Sequence, residues 1–220
     1  MSCDKDAKQP IEDKKQYKKE TENMEEIKTQ EGVLVLKAMP EFKAEAFNAA
    51  TGHYVEVNSE DYKGKWTVVC FYPADFTFVC PTELEEMAEY YDKFQAENAE
   101  ILSFSTDTEF SHLAWHQSSE AIGKIKFPMG ADPTGRISKI MGTYIENEGL
   151  SLRGTFLINP EGKIVLLEIN DNSIGRSASE LLRKLQAAKY VAEHDGQVCP
   201  ASWEPGKDTL EPNEDLVGKI

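Results

Sequence analysis

The sequence predicts an α/β fold, a sheet covered by helices, and three observations carry that reading. Trp66–Tyr72 is a near-continuous apolar run, the pattern of a central strand buried on both faces. A second buried run, Ile101–Ser105, follows a helical stretch whose Leu84, Met87, Ala88, Tyr91 and Phe94 share one face. Strand, helix and strand in that order make a parallel βαβ unit. Further on, Arg153–Asn159 and Lys163–Ile169 are two strands joined by Pro160-Glu-Gly162, too tight a link for anything but an antiparallel hairpin.

The remaining elements follow in order. Residues 1–31 are dominated by Lys, Glu, Asp and Gln and read as a charged, disordered or loosely helical extension, with Glu20–Lys28 as its one helical stretch. Val33–Leu36 is a short β-prone run. Asn48–Gly52 is a turn that returns as a strand over His53–Val57, and Asp61–Lys65 is a turn broken by Gly64. Pro73 ends the first central strand, and Asn98 closes the helix after it. Glu109–Ser118 is a helix, Phe127–Gly130 an extended piece, and Asp132–Arg136 leads into a short helix ending near Gly142. Ser179–Val191 is amphipathic through Leu181, Leu182, Leu185, Ala188 and Val191. Past Gly196 the composition turns to Pro, Gly and charge. This order matches a thioredoxin-like α/β fold with an N-terminal extension over 1–31, a domain over 32–192 and a C-terminal arm over 193–220.

Bulk properties narrow the function classes. A chain of 220 residues with 40% hydrophobic content suits one domain with extensions. A formal net charge of −15 argues against binding a phosphate backbone or anionic lipid. No apolar run is long enough for a membrane helix, and the polar N-terminus lacks the apolar stretch of a signal peptide. A cytoplasmic, reducing location is expected. The four cysteines, Cys3, Cys70, Cys80 and Cys199, form no Cys-x-x-Cys. That weakens a general disulfide oxidoreductase and a zinc knuckle alike. His112 and His116 would share a helix face, which reads as a solvated face rather than a metal site.

The segment Phe71–Met87 carries the chemistry. It sets Cys80 where a strand gives way to a helix, amid Pro73, Thr77, Pro81 and Glu83. A thiol in a first helical turn faces unpaired N–H groups and the positive end of the helix dipole, and both favour the thiolate. Two helix starts are open: Thr77 as N-cap puts Cys80 at the third position, whereas Pro81 as first residue makes Cys80 the cap. Either way Pro81 lacks an N–H and leaves the turn weakly tied. Cys199, in the Gly- and Pro-flanked arm, is an accessible partner thiol, and whether the two meet within one chain or across a dimer is open. Cys70 alternates into the central strand as a core residue. Cys3, in the tail, reads as inert. Arg153 at the start of a core strand is a candidate for holding the Cys80 thiolate and donating to an oxygen that leaves from a peroxide the thiolate attacks, against the alternative of a surface ion pair. Arg176 is a weaker candidate of the same kind, and Glu83 can orient either arginine. Phe76, Phe78 and Trp115 could wall an apolar mouth, although Trp115 reads better as core.

Pro73-x-x-x-Thr77-x-x-Cys80 followed by Pro81-Thr-Glu83 resembles the peroxidatic motif of the peroxiredoxins, and the resemblance runs from about Val33 to the end. Gly196-Gln-Val-Cys-Pro-Ala-Ser-Trp203 and Asp215–Ile220 are similar to the typical two-cysteine branch of bacterial type. The resemblance implies that Cys80 attacks a peroxide and becomes a sulfenic acid shielded by Pro73. Thr77 and Arg153 would bind the peroxide oxygens, with Glu83 and Arg176 supporting Arg153. Cys199 of a partner subunit would condense with the sulfenic acid. A thioredoxin-type protein or a flavoprotein disulfide reductase would then reduce the disulfide. The resemblance further implies an antiparallel homodimer, able to form a pentamer of dimers, and no metal, haem or flavin cofactor. A ring-forming holdase chaperone is the alternative activity. The Gly-Gly-Leu-Gly and C-terminal Tyr-Phe motifs of overoxidation-prone relatives are absent, which implies resistance to inactivation. The charged extension is longer than the family leads one to expect.

Overall fold

Seven strands form the central sheet: β1 (Lys43–Asn48), β2 (His53–Asn58), β3 (Trp66–Phe71), β4 (Ala99–Ser105), β5 (Pro128–Ala131), β8 (Arg153–Ile158) and β9 (Ile164–Asn170). Their spatial order is β2-β1-β5-β4-β3-β8-β9, and a separate small pair is made by β6 (Tyr144–Ile145) and β7 (Leu150–Ser151). The helices are α1 (Cys80–Ala96), α2 (Glu109–Ser118), α3 (Arg136–Ile140) and α4 (Ala178–Glu193). The computed structural model describes residues 32–219. The expected extension over 1–31, its helix at Glu20–Lys28 and Cys3 lie outside the described residues.

β3, β4 and β5 are parallel, whereas β8 runs antiparallel to β3 and β9 antiparallel to β8. The βαβ unit and the hairpin therefore form as the sequence implies. All six residues of β3 are buried because both faces of the sheet are covered. Trp66, Val68 and Cys70 turn to one side, where Leu84, Met87 and Phe94 of α1, Trp115 of α2, and Leu181 and Leu185 of α4 pack on them. Val69 and Phe71 turn to the other, against Phe104, Phe156 and the short α3 through Ile137. This alternation is the period-two geometry of a strand in a two-faced core. β4 is buried except at Glu100, and Asn98 closes α1 in the left-handed region (φ 54°), which Asn tolerates better than most residues.

One expected strand does not form. Val33–Leu36 enters a turn, with Leu36 at φ 70°, and Leu34, Val35 and Leu36 are all exposed. The chain there laces onto the β8–β9 hairpin through Leu36 N–Ile164 O (2.7 Å), Ile164 N–Lys37 O (2.9 Å) and a single bridge from Ala38 to Lys163. Val33 packs on the core, but the turn at Leu36 stops the backbone from running on beside β9, and β propensity alone does not make a strand. The arm beyond Gly196 is irregular as expected, with one bridge between Val198 and Leu210 and a short 3-10 turn at Glu214–Leu216. No described helix is long and apolar enough to cross a membrane.

Candidate active site

β3 ends at Phe71, the turn 73–79 follows, and α1 opens at Cys80. The turn thus sits beyond the carboxyl end of a central parallel strand, where open α/β sheets expose backbone and functional groups. Pro73 is buried, and its carbonyl accepts a bond from Thr106 Oγ1 at 3.5 Å. Phe76 takes φ 55° and stacks near Trp115, whose ring is core as expected; Phe78 is 94% exposed. Neither of the two helix starts read from the sequence occurs. Val79 occupies the N-cap position without a side-chain cap, so Cys80 is the first helical residue and Pro81 the second. Thr77 lies two residues before the N-cap, outside the helix, and its hydroxyl donates to Ala74 O at 3.0 Å while accepting from no N–H of the first turn. The Val79 carbonyl instead gathers the turn, accepting from Thr82 N (3.0 Å), Glu83 N (3.3 Å) and Thr82 Oγ1 (2.7 Å).

Cys80 is fully buried, and Arg153 Nη1 donates to its sulfur at 3.4 Å. Arg153 is itself buried, which excludes the surface ion pair. The same Nη1 donates to Glu83 Oε2, while Nε and Nη2 donate to the Asn172 carbonyl at 3.0 and 2.8 Å. Glu83, one turn along α1 from Cys80, also takes Arg176 on its other oxygen through Nε and the backbone N–H, both at 2.8 Å. Arg176 Nη1 reaches back to Gly154 O (2.8 Å) and Thr155 Oγ1 (3.1 Å) on β8. One buried carboxylate thus fixes two buried guanidiniums, and the pairs are hydrogen-bonded on all sides, the condition under which buried charge is tolerated. Planar, forked donors make arginine suited to this bridging.

Cys199 stands elsewhere. It is half-buried in the arm, with its sulfur 3.8 Å from Ala187 O on α4. Burial pushes its thiol up from the usual value, and the nearby Arg183 charge offsets this only in part. Arg183 also pins the arm by donating to Trp203 O at 2.7 Å. Cys70, Cys80 and Cys199 are all free thiols, and burial pushes the Cys70 thiol up, as befits a core residue, with Arg176 opposing. The site therefore brings together Cys80, Arg153, Glu83 and Arg176, with Pro73 and Thr77 in the turn that leads to Cys80. It leaves Cys199 apart.

Three groups escaped the sequence reading. The Asn172 carbonyl anchors Arg153, and no side-chain pattern marks a backbone acceptor. Asp75 and His112 form a buried pair at 2.8 Å. His112 is thus not on a solvated helix face: it is fully buried, and His116 is half-buried with Nε2 at 3.3 Å from Ile125 O. The apolar residues around the two histidines on α2 were the available signal that the face turns inward. Among the described residues no three His, Cys, Asp or Glu converge as metal ligands.

Comparisons with known proteins place the chain in a family. Residues 35–167 match the AhpC/TSA family, and residues 187–219 match the C-terminal domain of 1-Cys peroxiredoxin. Alkyl hydroperoxide reductase C of Pseudomonas aeruginosa is 52% identical over 179 residues, which is 81% of this chain and 95% of that protein. The Escherichia coli protein of the same name is 50% identical over the same shares. Among solved structures, Enterococcus faecalis AhpC superposes with a TM-score of 0.72 at 46% identity, covering 76% of this chain and 99% of that one. A reduced 2-Cys peroxiredoxin of Plasmodium vivax gives 0.78 at 38%, covering 82% and 94%. The family match spans the sheet up to the last three residues of β9 and includes Cys80, Glu83 and Arg153, and kinship at this level leaves no ambiguity: the chain belongs to the AhpC/TSA family.

Proposed function

We propose that this chain is a thiol peroxidase that reduces alkyl hydroperoxides and hydrogen peroxide with Cys80 as its nucleophile. The observation that carries this reading is the Cys80 sulfur at a helix start with Arg153 Nη1 3.4 Å away. The sulfur attacks one peroxide oxygen, the O–O bond breaks, and the alkoxide or hydroxide that leaves takes up a proton. Arg153 donates to the charge that develops on the leaving oxygen, and it needs no reorganisation because Glu83 and Asn172 already hold it. Thr77 accepts the peroxide hydrogen, and buried Pro73 keeps water from the sulfenic acid that remains on Cys80.

In the second step the Cys199 thiol displaces hydroxide from that sulfenic acid, releasing water and forming a disulfide. The fold favours pairing across two subunits. α1 and α4 run side by side in the same direction, since Arg176 meets Glu83 at their starts and Lys189 meets Glu97 at their ends. Cys199 rests against Ala187, roughly 14 Å along α4 at ~1.5 Å per residue. A disulfide needs Cα atoms within about 7 Å. A second copy is the alternative source of Cys199, and the β9 edge, open beyond Ile164 with Ile169 exposed, is the surface through which two copies would meet. Such dimers are the unit from which a ring of five would assemble. A dithiol protein of thioredoxin type, or a flavoprotein reductase carrying one, closes the cycle, and a reducing cytoplasm suits it.

Non-reducing electrophoresis after one equivalent of peroxide tests both steps. A covalent dimer is expected in the wild type and not in Cys199→Ser. A monomeric, intrachain disulfide would overturn the cross-subunit pairing, and full peroxide consumption by Cys80→Ser would overturn the peroxidase reading.

A further inference from the structure

Behind the turn 73–79 lies a buried polar cluster that the reaction above leaves unused. Tyr72 OH donates to Asp75 Oδ1 at 2.8 Å, and His112 Nδ1 meets Asp75 Oδ2 at 2.8 Å, with both the His112 and Asp75 side chains shut off from solvent. His112 Nε2 lies 3.1 Å from the Gly130 carbonyl on β5. A carbonyl only accepts, so Nε2 bears a proton, and a second proton bridges Nδ1 and Oδ2. The Asp75 N–H donates to Asp107 Oδ2 at 2.7 Å, and that oxygen also accepts from Ser105 Oγ at 2.9 Å.

That N–H belongs to the same peptide plane as the Ala74 carbonyl, and the two point in opposite directions. The Ala74 carbonyl is the acceptor of the Thr77 hydroxyl. Fixing Asp75 from both its side chain and its backbone therefore aims the Ala74 carbonyl, which takes the Thr77 hydrogen and leaves the Thr77 oxygen free to accept. Phe76, between them, is held in the left-handed region that its bulk disfavours, so the turn needs ties on both sides. An apolar pair would pack α2 onto the sheet as well as this network does. What the polar pair adds is direction.

We propose that Asp75, held by His112 and Tyr72, is a positioning residue that orients the Thr77 hydroxyl toward the peroxide. The inference rests on the peroxidase reading. Two variants separate it from plain stabilisation. In His112→Asn the amide nitrogen takes the place of Nδ1 and keeps the bond to Asp75 while losing Gly130. In His112→Gln the amide nitrogen takes the place of Nε2 and keeps Gly130 while losing Asp75. Each loses one buried bond; because a bond to a carboxylate is the stronger, His112→Gln should have the lower thermal midpoint, and the rates are compared at a temperature where both variants are folded.

The decisive readout is the second-order rate constant for Cys80 oxidation by cumene hydroperoxide and by hydrogen peroxide, followed by stopped-flow tryptophan fluorescence on the full chain. We expect His112→Gln to be slower than wild type by about tenfold to a hundredfold, the scale of a small misplacement of a positioned group, and His112→Asn to stay within about threefold. Tyr72→Phe removes a donor from Asp75 with little change of shape and serves if either variant fails to fold; a slowing of Cys80 oxidation is expected, and an unchanged rate would overturn the proposal. Equal rates for the Asn and Gln variants, or a selective loss in Asn, would overturn it too. A wild type that does not consume peroxide would sink the peroxidase reading itself, whereas an active wild type with equal variants sinks only this inference.

Discussion

Cys80 and Cys199 are two thiols of one proposed cycle held in opposite ways. Cys80 is fully buried at a helix start, and the arginine on its sulfur is fixed by Glu83 and by the Asn172 carbonyl. Cys199 is half-buried in an irregular arm, with a long contact from its sulfur to one carbonyl. The first setting is built in advance around charge that appears during reaction. The second costs little to leave. A two-thiol cycle needs both, because the step that follows oxidation must bring together groups that begin far apart. The ties around Cys80 are uneven: Thr82 and Glu83 hang from a single carbonyl, Val79, while Glu83 is clamped by two arginines. Unwinding Cys80–Thr82 would give up the bond from Arg153 to the sulfur but leave Arg153 held by Glu83 and the Asn172 carbonyl.

The largest effect should come from exchanging the two thiols separately. Cys80→Ser should abolish peroxide consumption. Cys199→Ser should retain one stoichiometric oxidation, seen as loss of one reactive thiol per chain, while losing turnover with a thioredoxin-type donor. Equal behaviour of the two variants would erase the contrast between them. Next in size is Glu83→Gln. Removing the charge between two buried guanidiniums should destabilise the protein by about 3–5 kcal/mol in urea unfolding, as for other broken buried pairs. The same change should slow peroxide reduction by about a hundredfold or more, because Arg153 loses its support. Neighbouring charges couple, so the two losses should not be summed from single arginine variants.

A smaller change sharpens the other side of the comparison. Thr82→Val removes the hydroxyl bond to Val79 and should cost about 0.5–1.5 kcal/mol. Since it loosens only the first turn, disulfide formation after oxidation should quicken while the first oxidation stays the same, as two-phase stopped-flow fluorescence would show. The smallest effect is on Cys199 alkylation. With its thiol pushed up by burial, Cys199 carries less thiolate at neutral pH than an open cysteine does. In the Cys80→Ser variant, the pH of half-maximal reaction with iodoacetamide should lie above that of a free cysteine, and replacing Arg183 by Met should raise it further.

The amino-acid sequence was informative where chemistry follows the chain locally. β3 and β4 are legible as apolar runs because both faces are covered, and the 160–162 link leaves no option but a hairpin. Glu109–Ser118 is a helix with the expected bounds, since Thr108 caps it and Ser111 N answers that cap. Val33–Leu36 differs for the complementary reason: its residue types favour a strand, but Leu36 turns at φ 70° and only a single bridge, Ala38 to Lys163, forms beside the hairpin, while Leu34, Val35 and Leu36 stay exposed. The start of α1 differs from the expectation because the turn through Phe76, at φ 55°, carries Thr77, a good cap by type, outside the helix, and α1 opens at Cys80 with no side-chain cap.

By itself, then, the sequence determined the order of elements, the seat of Cys80 beside a helix start and the residue types near it, because propensity and periodicity act within a few residues. Only the tertiary structure decided which distant groups share one site. Glu83 meets Arg153 and Arg176 because β8 lies beside β3 while α4 lies along α1, and Asp75 meets His112 because α2 folds back over the turn. The physical reason is that burial of charge is settled by partners brought from elsewhere in the chain. A carboxylate alone in sequence gives no sign of whether water or an arginine will face it.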